Sequence, residues 1–146
     1  MGSTESTFRE KYLDKTFDKD AMADTTLFNI DEIEQGLKYI HPYFSIYSAR
    51  ASLNLIIDCA KLVYTYNKLE SLTIFEERRG DRGPRIHVMI RHKNNNKYVF
   101  KYFIDNTNNK FLLVDNIKYV LDVNNEQSFV FNNWSEIEEL FKKIIK

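Results

Sequence analysis

The stretch Glu77 to Lys93, ERRGDRGPRIHVMIRHK, carries five of the chain's seven arginines and two of its three histidines. Arginine is the residue suited to bidentate recognition of carboxylates and phosphates, because its planar fork presents paired donors that an ammonium lacks. Between Arg78 and Lys110 arginine outnumbers lysine five to four, whereas the rest of the chain holds ten lysines and two arginines. Residues 78–101 sum to seven positive charges while the whole chain sums to zero, so the remainder sums to minus seven. Such a dipolar molecule steers an anionic partner toward its positive end.

Other chemistries find less support in the residues. His41, His87 and His92 are the histidines available to a metal, and His87 and His92 differ in parity along one strand, so they point to opposite faces. No metal and no cofactor is expected. Cys59, the single cysteine, leaves no internal disulfide and falls in an apolar helical stretch where a small buried thiol is expected. No glycine-bearing elbow surrounds a serine or the cysteine, and Gly80 and Gly83 lie between two strands rather than between a strand and a helix, where a phosphate-cradling loop needs them. The acidic groups Asp31, Glu32, Glu34 and Glu136, Glu138, Glu139 open helices, where they complement the helix dipole. A non-enzymatic protein is the expectation.

The elements that position the basic stretch follow from periodicity. Thr7 with Glu10 forms a capping-box pattern ahead of Phe8, Tyr12, Leu13 and Phe17, predicting an amphipathic helix over 8–20. Asn29 and Glu32 make a second box, with Phe28 placed to staple onto Ile33, for a helix from Ile30 to Ile40 that ends before Pro42. A third helix over 45–66 places Ile46, Ala49, Leu53, Ile56, Ile57, Ala60 and Val63 on one buried face. Asn133 and Glu136 begin a last helix lined by Trp134, Ile137, Leu140, Phe141 and Ile144.

From Leu72 the period changes to two, and strands are read at 71–77, 85–93, 97–105, 110–115, 117–123 and 128–131. The short Asn-rich connections favour an antiparallel meander, since parallel strands need long crossovers. The fold class is therefore α+β: N-terminal helices, a meander of five to six strands, and a C-terminal helix packed on one sheet face. Residues 1–26 read as an arm or short amphipathic helix, and 27–146 as one α+β domain, consistent with a length suited to a single core.

Register decides which side chains share a face. Opposing Lys93 to Lys97 sets Ile86, Val88 and Ile90 across from Ile104, Tyr102 and Phe100, and pairing Asp105 with Lys110 adds Phe111 and Leu113 to that apolar face. The other face then carries Arg85, His87, Met89, Arg91 and Lys93 beside Lys97, Val99, Lys101 and Phe103.

The expected contact set is Arg78, Arg79, Arg82, Arg85, His87, Met89, Arg91, Lys101 and Phe103, with Met89 and Phe103 as apolar anchors. The expected partner is a protein with an acidic surface, of the kind an inhibitor, immunity or anti-defence factor engages. The alternative is single-stranded RNA or DNA on the same face. Against it stand a pI near 6.8 and a register that turns Tyr98, Phe100 and Tyr102 into the core. No signal-peptide pattern opens the sequence and no apolar run approaches the roughly 20 residues of a membrane helix, so a cytoplasmic, reducing setting is expected.

Overall fold

The computed structural model describes residues 4–40, 45–78, 84–104 and 117–145. In chain order these form α1 (Thr4–Lys11), β1 (Thr16–Asp18), α2 (Lys19–Ala23), α3 (Ile30–Ile40), α4 (Ser45–Thr65), β2 (Leu69–Arg78), β3 (Pro84–His92), β4 (Lys97–Ile104), β5 (Ile117–Val123), β6 (Gln127–Phe131) and α5 (Trp134–Ile144). The strands make one six-stranded antiparallel sheet in sequence order, a pure meander. The chain is a single α+β domain in which the described helices pack on one face of the sheet. None of those helices is long and apolar enough to cross a membrane.

Two helix starts form as their capping residues dictate. The Asn29 side chain accepts from the Glu32 amide at 3.0 Å, and the Asn133 side chain accepts from the Glu136 amide at 3.1 Å. The Asn133 side-chain amide also donates to Glu136 Oε1 at 3.0 Å. In α4 the buried stripe runs through Leu55, Ile56, Cys59, Leu62 and Val63, while Leu53, Ile57 and Ala60 sit at its flanks. The expected stripe is rotated because α4 is wedged between α3 and strands β2 to β4, and buries a broader arc than a helix lying on one surface.

The helix expected over 8–20 is not one helix. α1 begins at Thr4, ahead of the Thr7–Glu10 pattern, and ends at Lys11; the chain then passes through Asp14 at φ 62°, pairs as β1 with β2, and resumes as α2. The aromatic residues explain the break. Phe8, Tyr12 and Phe17 are all buried, and Tyr12 packs against Phe8, Phe17 and Phe28, a cluster that a straight helix would spread along its length. Gly36 lets α1 and α3 touch: a Cβ there would lie 2.4 Å from the Cβ of Phe8.

The β3–β4 hairpin differs from expectation in register but not in facing. Ile90 pairs with Tyr98 and Val88 with Phe100, a shift of two residues from the Lys93–Lys97 alignment. The cause is the turn. The left-handed position falls on Asn95, at φ 76°, which closes the loop at His92 and Asn96, whose backbones are joined at 2.9 Å. Lys93 instead donates its amide to Lys68 O at 2.9 Å. A two-residue shift preserves parity, so every side chain keeps its face.

The partner expected for β4 is corrected as well. β4 pairs along its length with 117–123, from Tyr98 opposite Val123 to Ile104 opposite Ile117. The strand read at 110–115, with its Asp105–Lys110 pairing and Phe111 and Leu113, lies outside the described residues. The three-residue β5–β6 loop turns on Asn124 and Asn125, both left-handed at φ 53° and 59°, with the Glu126 amide donating to Val123 O at 3.0 Å.

The core lies between sheet and helices. Leu72, Ile74, Ile86, Val88, Ile90, Tyr98, Phe100 and Leu121 are buried from the sheet side, and Phe141 of α5 meets Tyr98 and Phe100 edge-on at 4.9 and 5.3 Å. Ser52 of α4 and Tyr102 share a 2.6 Å hydrogen bond in this core.

Candidate partner-binding face

Alternation along the strands sends the residues between those core positions to the other side of the sheet. Across β2 and β3 the pairs on that side are Ser71–Arg91, Thr73–Met89, Phe75–His87 and Glu77–Arg85. Across β4 and β5 they are Val99–Asp122, Lys101–Val120 and Phe103–Lys118. His87, Met89, Arg91, Lys101 and Phe103, the contact residues expected from the sequence, thus share one face that no described helix covers. Arg78 and Arg85 occupy strand positions at the mouth of the β2–β3 hairpin. Arg79 and Arg82 lie outside the described residues.

The face is less uniformly basic than the two central strands suggest. Glu77 and Asp122 enter it from β2 and β5: Glu77 lies 3.0 Å from His87 Nε2, and Asp122 lies 2.8 Å from Lys101 Nζ. Burial alone would raise the Asp122 carboxyl. Hydrogen bonds from Lys101 and Ser128, with the charges of Lys101 and His87 nearby, outweigh it and hold the group below the usual carboxylate range. Arg91 is half-buried and makes no ion pair among the described residues, and Lys97 is exposed. By strand position, Arg91, Lys97, Lys101 and Lys118 stand against Asp18, Glu77 and Asp122 among the described residues, so the face keeps a small positive excess.

Between the charges run Phe75, Met89, Val99, Phe103 and Val120, each partly buried by its neighbours. Sequence reasoning missed Phe75, Glu77, Val120 and Asp122. Their parity was readable in their own strands, but their membership of this face depends on which strands lie beside β3 and β4, and that needed the full sheet order.

The histidines separate as parity requires. His92 is buried on the helix side, where Nδ1 accepts from the Asn94 amide at 3.1 Å and Nε2 lies 3.2 Å from Ile145 O, geometry that places the ring proton on Nε2. Among the described residues no three His, Cys, Asp or Glu side chains converge as metal ligands. Cys59 is fully buried and its thiol is pushed well up, first by burial and then by the neighbouring Asp58, which makes it a poor nucleophile. A separate open cleft of about 420 Å³ lies between α2, the start of α3 and α4, lined by Met22, Phe28, Ile57, Ala60 and Tyr64 among others. It collects apolar side chains with Asp31 and Lys61 and brings together no acid–base pair.

No protein-family model, curated protein or solved structure matches this chain.

Proposed function

We propose that this is a non-enzymatic protein-binding factor, of the inhibitor or immunity type, that docks the helix-free face of its sheet on an acidic surface of another protein. The observation that carries the reading is the composition of that face: partly buried Phe75, Met89, Val99 and Phe103 set among Arg91, Lys97 and Lys101. Apolar anchors ringed by cations suit an interface in which side chains desolvate at the centre and charges select the partner at the rim. Arg78, Arg79, Arg82, Arg85, His87, Met89, Arg91, Lys101 and Phe103 form the proposed contact set. A cytoplasmic, reducing setting belongs to the same proposal.

Single-stranded nucleic acid is the competing occupant. Tyr98, Phe100 and Tyr102 are at most 5% exposed, so the aromatic surface of β4 is spent on the core and leaves no row of rings for stacked bases.

The test combines Arg91→Glu with Lys97→Glu in one variant and Arg78, Arg79 and Arg82→Ala in another, both compared with the native protein in affinity capture from the native cell followed by mass spectrometry. Loss of the same acidic partner from both variants supports the reading. Undiminished capture refutes the placement. A gel shift with mixed-sequence single strands that weakens steeply with salt replaces the protein partner by nucleic acid.

A further inference from the structure

We propose that the protein self-associates through the outer edge of β6, two copies pairing antiparallel about a twofold axis to join their sheets. The two edges of the six-stranded sheet are treated very differently. β1 is three residues long, flanked by Lys15 and Lys19, and turns at once into α2. Short, charged, interrupted edges of this kind resist further pairing. β6 is less protected: its sequence QSFVF has no charge, no proline and no glycine, it follows the three-residue loop Asn124–Glu126, and its ladder with β5 runs without a bulge from Gln127 to Phe131. Among the described residues no strand pairs with its outer edge.

The side chains of β6 select the occupant. Phe129 and Phe131 lie on the helix side, opposite Leu121 and Tyr119, and stack on each other with centroids 6.5 Å apart. Both are only partly covered: α5 reaches β5 and β6 and Phe131 packs against the core, while Phe141 of α5 lies on Tyr98 and Phe100 of β4. Val130, on the other side, is 60% exposed, the most exposed large hydrophobic residue described.

An antiparallel pair centred on Val130 sets Val130 against Val130 of the second copy, and Phe129 against Phe131 of the second copy twice over. A second β6 thus supplies an aromatic or aliphatic neighbour for each of these three residues, and only a self-complementary twofold contact does so with one sequence. No like charges meet across the join, and the chain's zero net charge leaves no overall repulsion between copies. The register follows the same rule that sets β3 against β4: apolar side chains share a face. The join lies at the sheet edge farthest from β1 and leaves the basic face of each copy uncovered on a common side.

Sedimentation across a concentration series is the first measurement, with the native chain expected to move toward twice its 17.4 kDa mass. Val130→Lys puts two ammonium groups at the twofold axis without removing a core side chain, and is expected to raise the dissociation constant at least tenfold. Val130→Cys is expected to form an intermolecular disulfide on mild oxidation, with Leu27→Cys, 48% exposed on the α2–α3 connection, as the control that does not. Cys59 is fully buried and stays out of that reaction. A native chain that sediments as a monomer throughout overturns the proposal and leaves the edge to a strand of another protein. A dimer that survives Val130→Lys and fails to crosslink through Val130→Cys overturns it equally.

Discussion

On its helix side the sheet buries Ile86, Val88, Ile90, Tyr98 and Phe100 almost completely; on its other side His87, 9% exposed, lies against Glu77, Lys101 pairs with Asp122, and Met89, Arg91 and Val99 stay partly exposed. Both sets come from the same two strands and differ only in parity. The helix side therefore supplies most of the stabilisation, since each fully buried large apolar side chain contributes about 1.5–3 kcal/mol relative to exposure. The open side is free to carry a partner's specificity, because changing it removes little from the core.

Truncation should separate the faces most sharply. Phe100 is fully buried and touches the rings of Phe141 and Trp134, so Phe100→Ala is expected to cost about 3–5 kcal/mol in urea unfolding. Its strand neighbour on the open side, Val99, is partly exposed, and Val99→Ala should cost below about 1.5 kcal/mol. Equal losses would mean that the open face is as enclosed as the core.

Tyr12 carries the next effect. Its buried hydroxyl donates to Glu32 at 2.7 Å and accepts from the Asn29 amide at 3.1 Å, joining α1 to the start of α3. Tyr12→Phe leaves both partners short of a bond and is expected to cost about 1–3 kcal/mol. Hydrogen bonds from Lys11 and then Tyr12 hold the Glu32 carboxyl below its usual value. A depressed folded pKa means that the unfolded chain binds the proton first. The contribution is therefore complete above the unfolded value of about 4.3 and is lost as pH falls through the folded one. Denaturation at descending pH should show the native chain losing more stability on that limb than the Tyr12→Phe variant.

A smaller loss is expected at the cap of α5. Asn133→Ala removes the acceptor for the Glu136 amide and should lower the melting free energy by about 0.5–2 kcal/mol, while Asn133→Asp, which keeps the acceptor, restores most of it. α5 covers the helix side only, so binding through the open side should survive at temperatures where the variant stays folded.

What the sequence disclosed followed the range of the interactions involved. The caps at Asn29 and Asn133 rest on contacts three residues apart and were readable directly, as were the bodies of α3, α4 and α5 and the facing of the described residues of β3 and β4, whereas the helix read over 8–20 was not one helix. Facing survived the register error because it needs only the period of two. The register itself turned on which asparagine among Asn94, Asn95 and Asn96 takes the left-handed conformation, a preference all three share. β1 was hidden because its three residues extend only when paired with Leu72 and its neighbours in β2, a partner more than fifty positions away. Asp122 and Glu77 were missed at the candidate site for the same reason.

The smallest stability effect belongs to the open side and tells most about its purpose. Lys101 meets Asp122 at 2.8 Å with both side chains partly solvated, and such pairs contribute about 0–1 kcal/mol. Lys101→Ala should therefore barely move the unfolding midpoint. The Asp122 carboxyl should nevertheless climb back toward the ordinary range, readable by NMR titration, because burial then acts on it with Ser128 and His87 alone to oppose it. If the face serves an acidic partner, the same substitution removes a central cation and uncovers a carboxylate aimed at that partner, so affinity should fall far more than stability. Lys101→Ala with Asp122→Asn separates the two contributions: recovered affinity assigns the loss to the exposed Asp122 charge, and unrecovered affinity assigns it to a direct contact by Lys101. A single variant that weakens binding and folding in equal proportion would place Lys101 in the framework of the sheet, and the distinction between the two faces would fail at its centre.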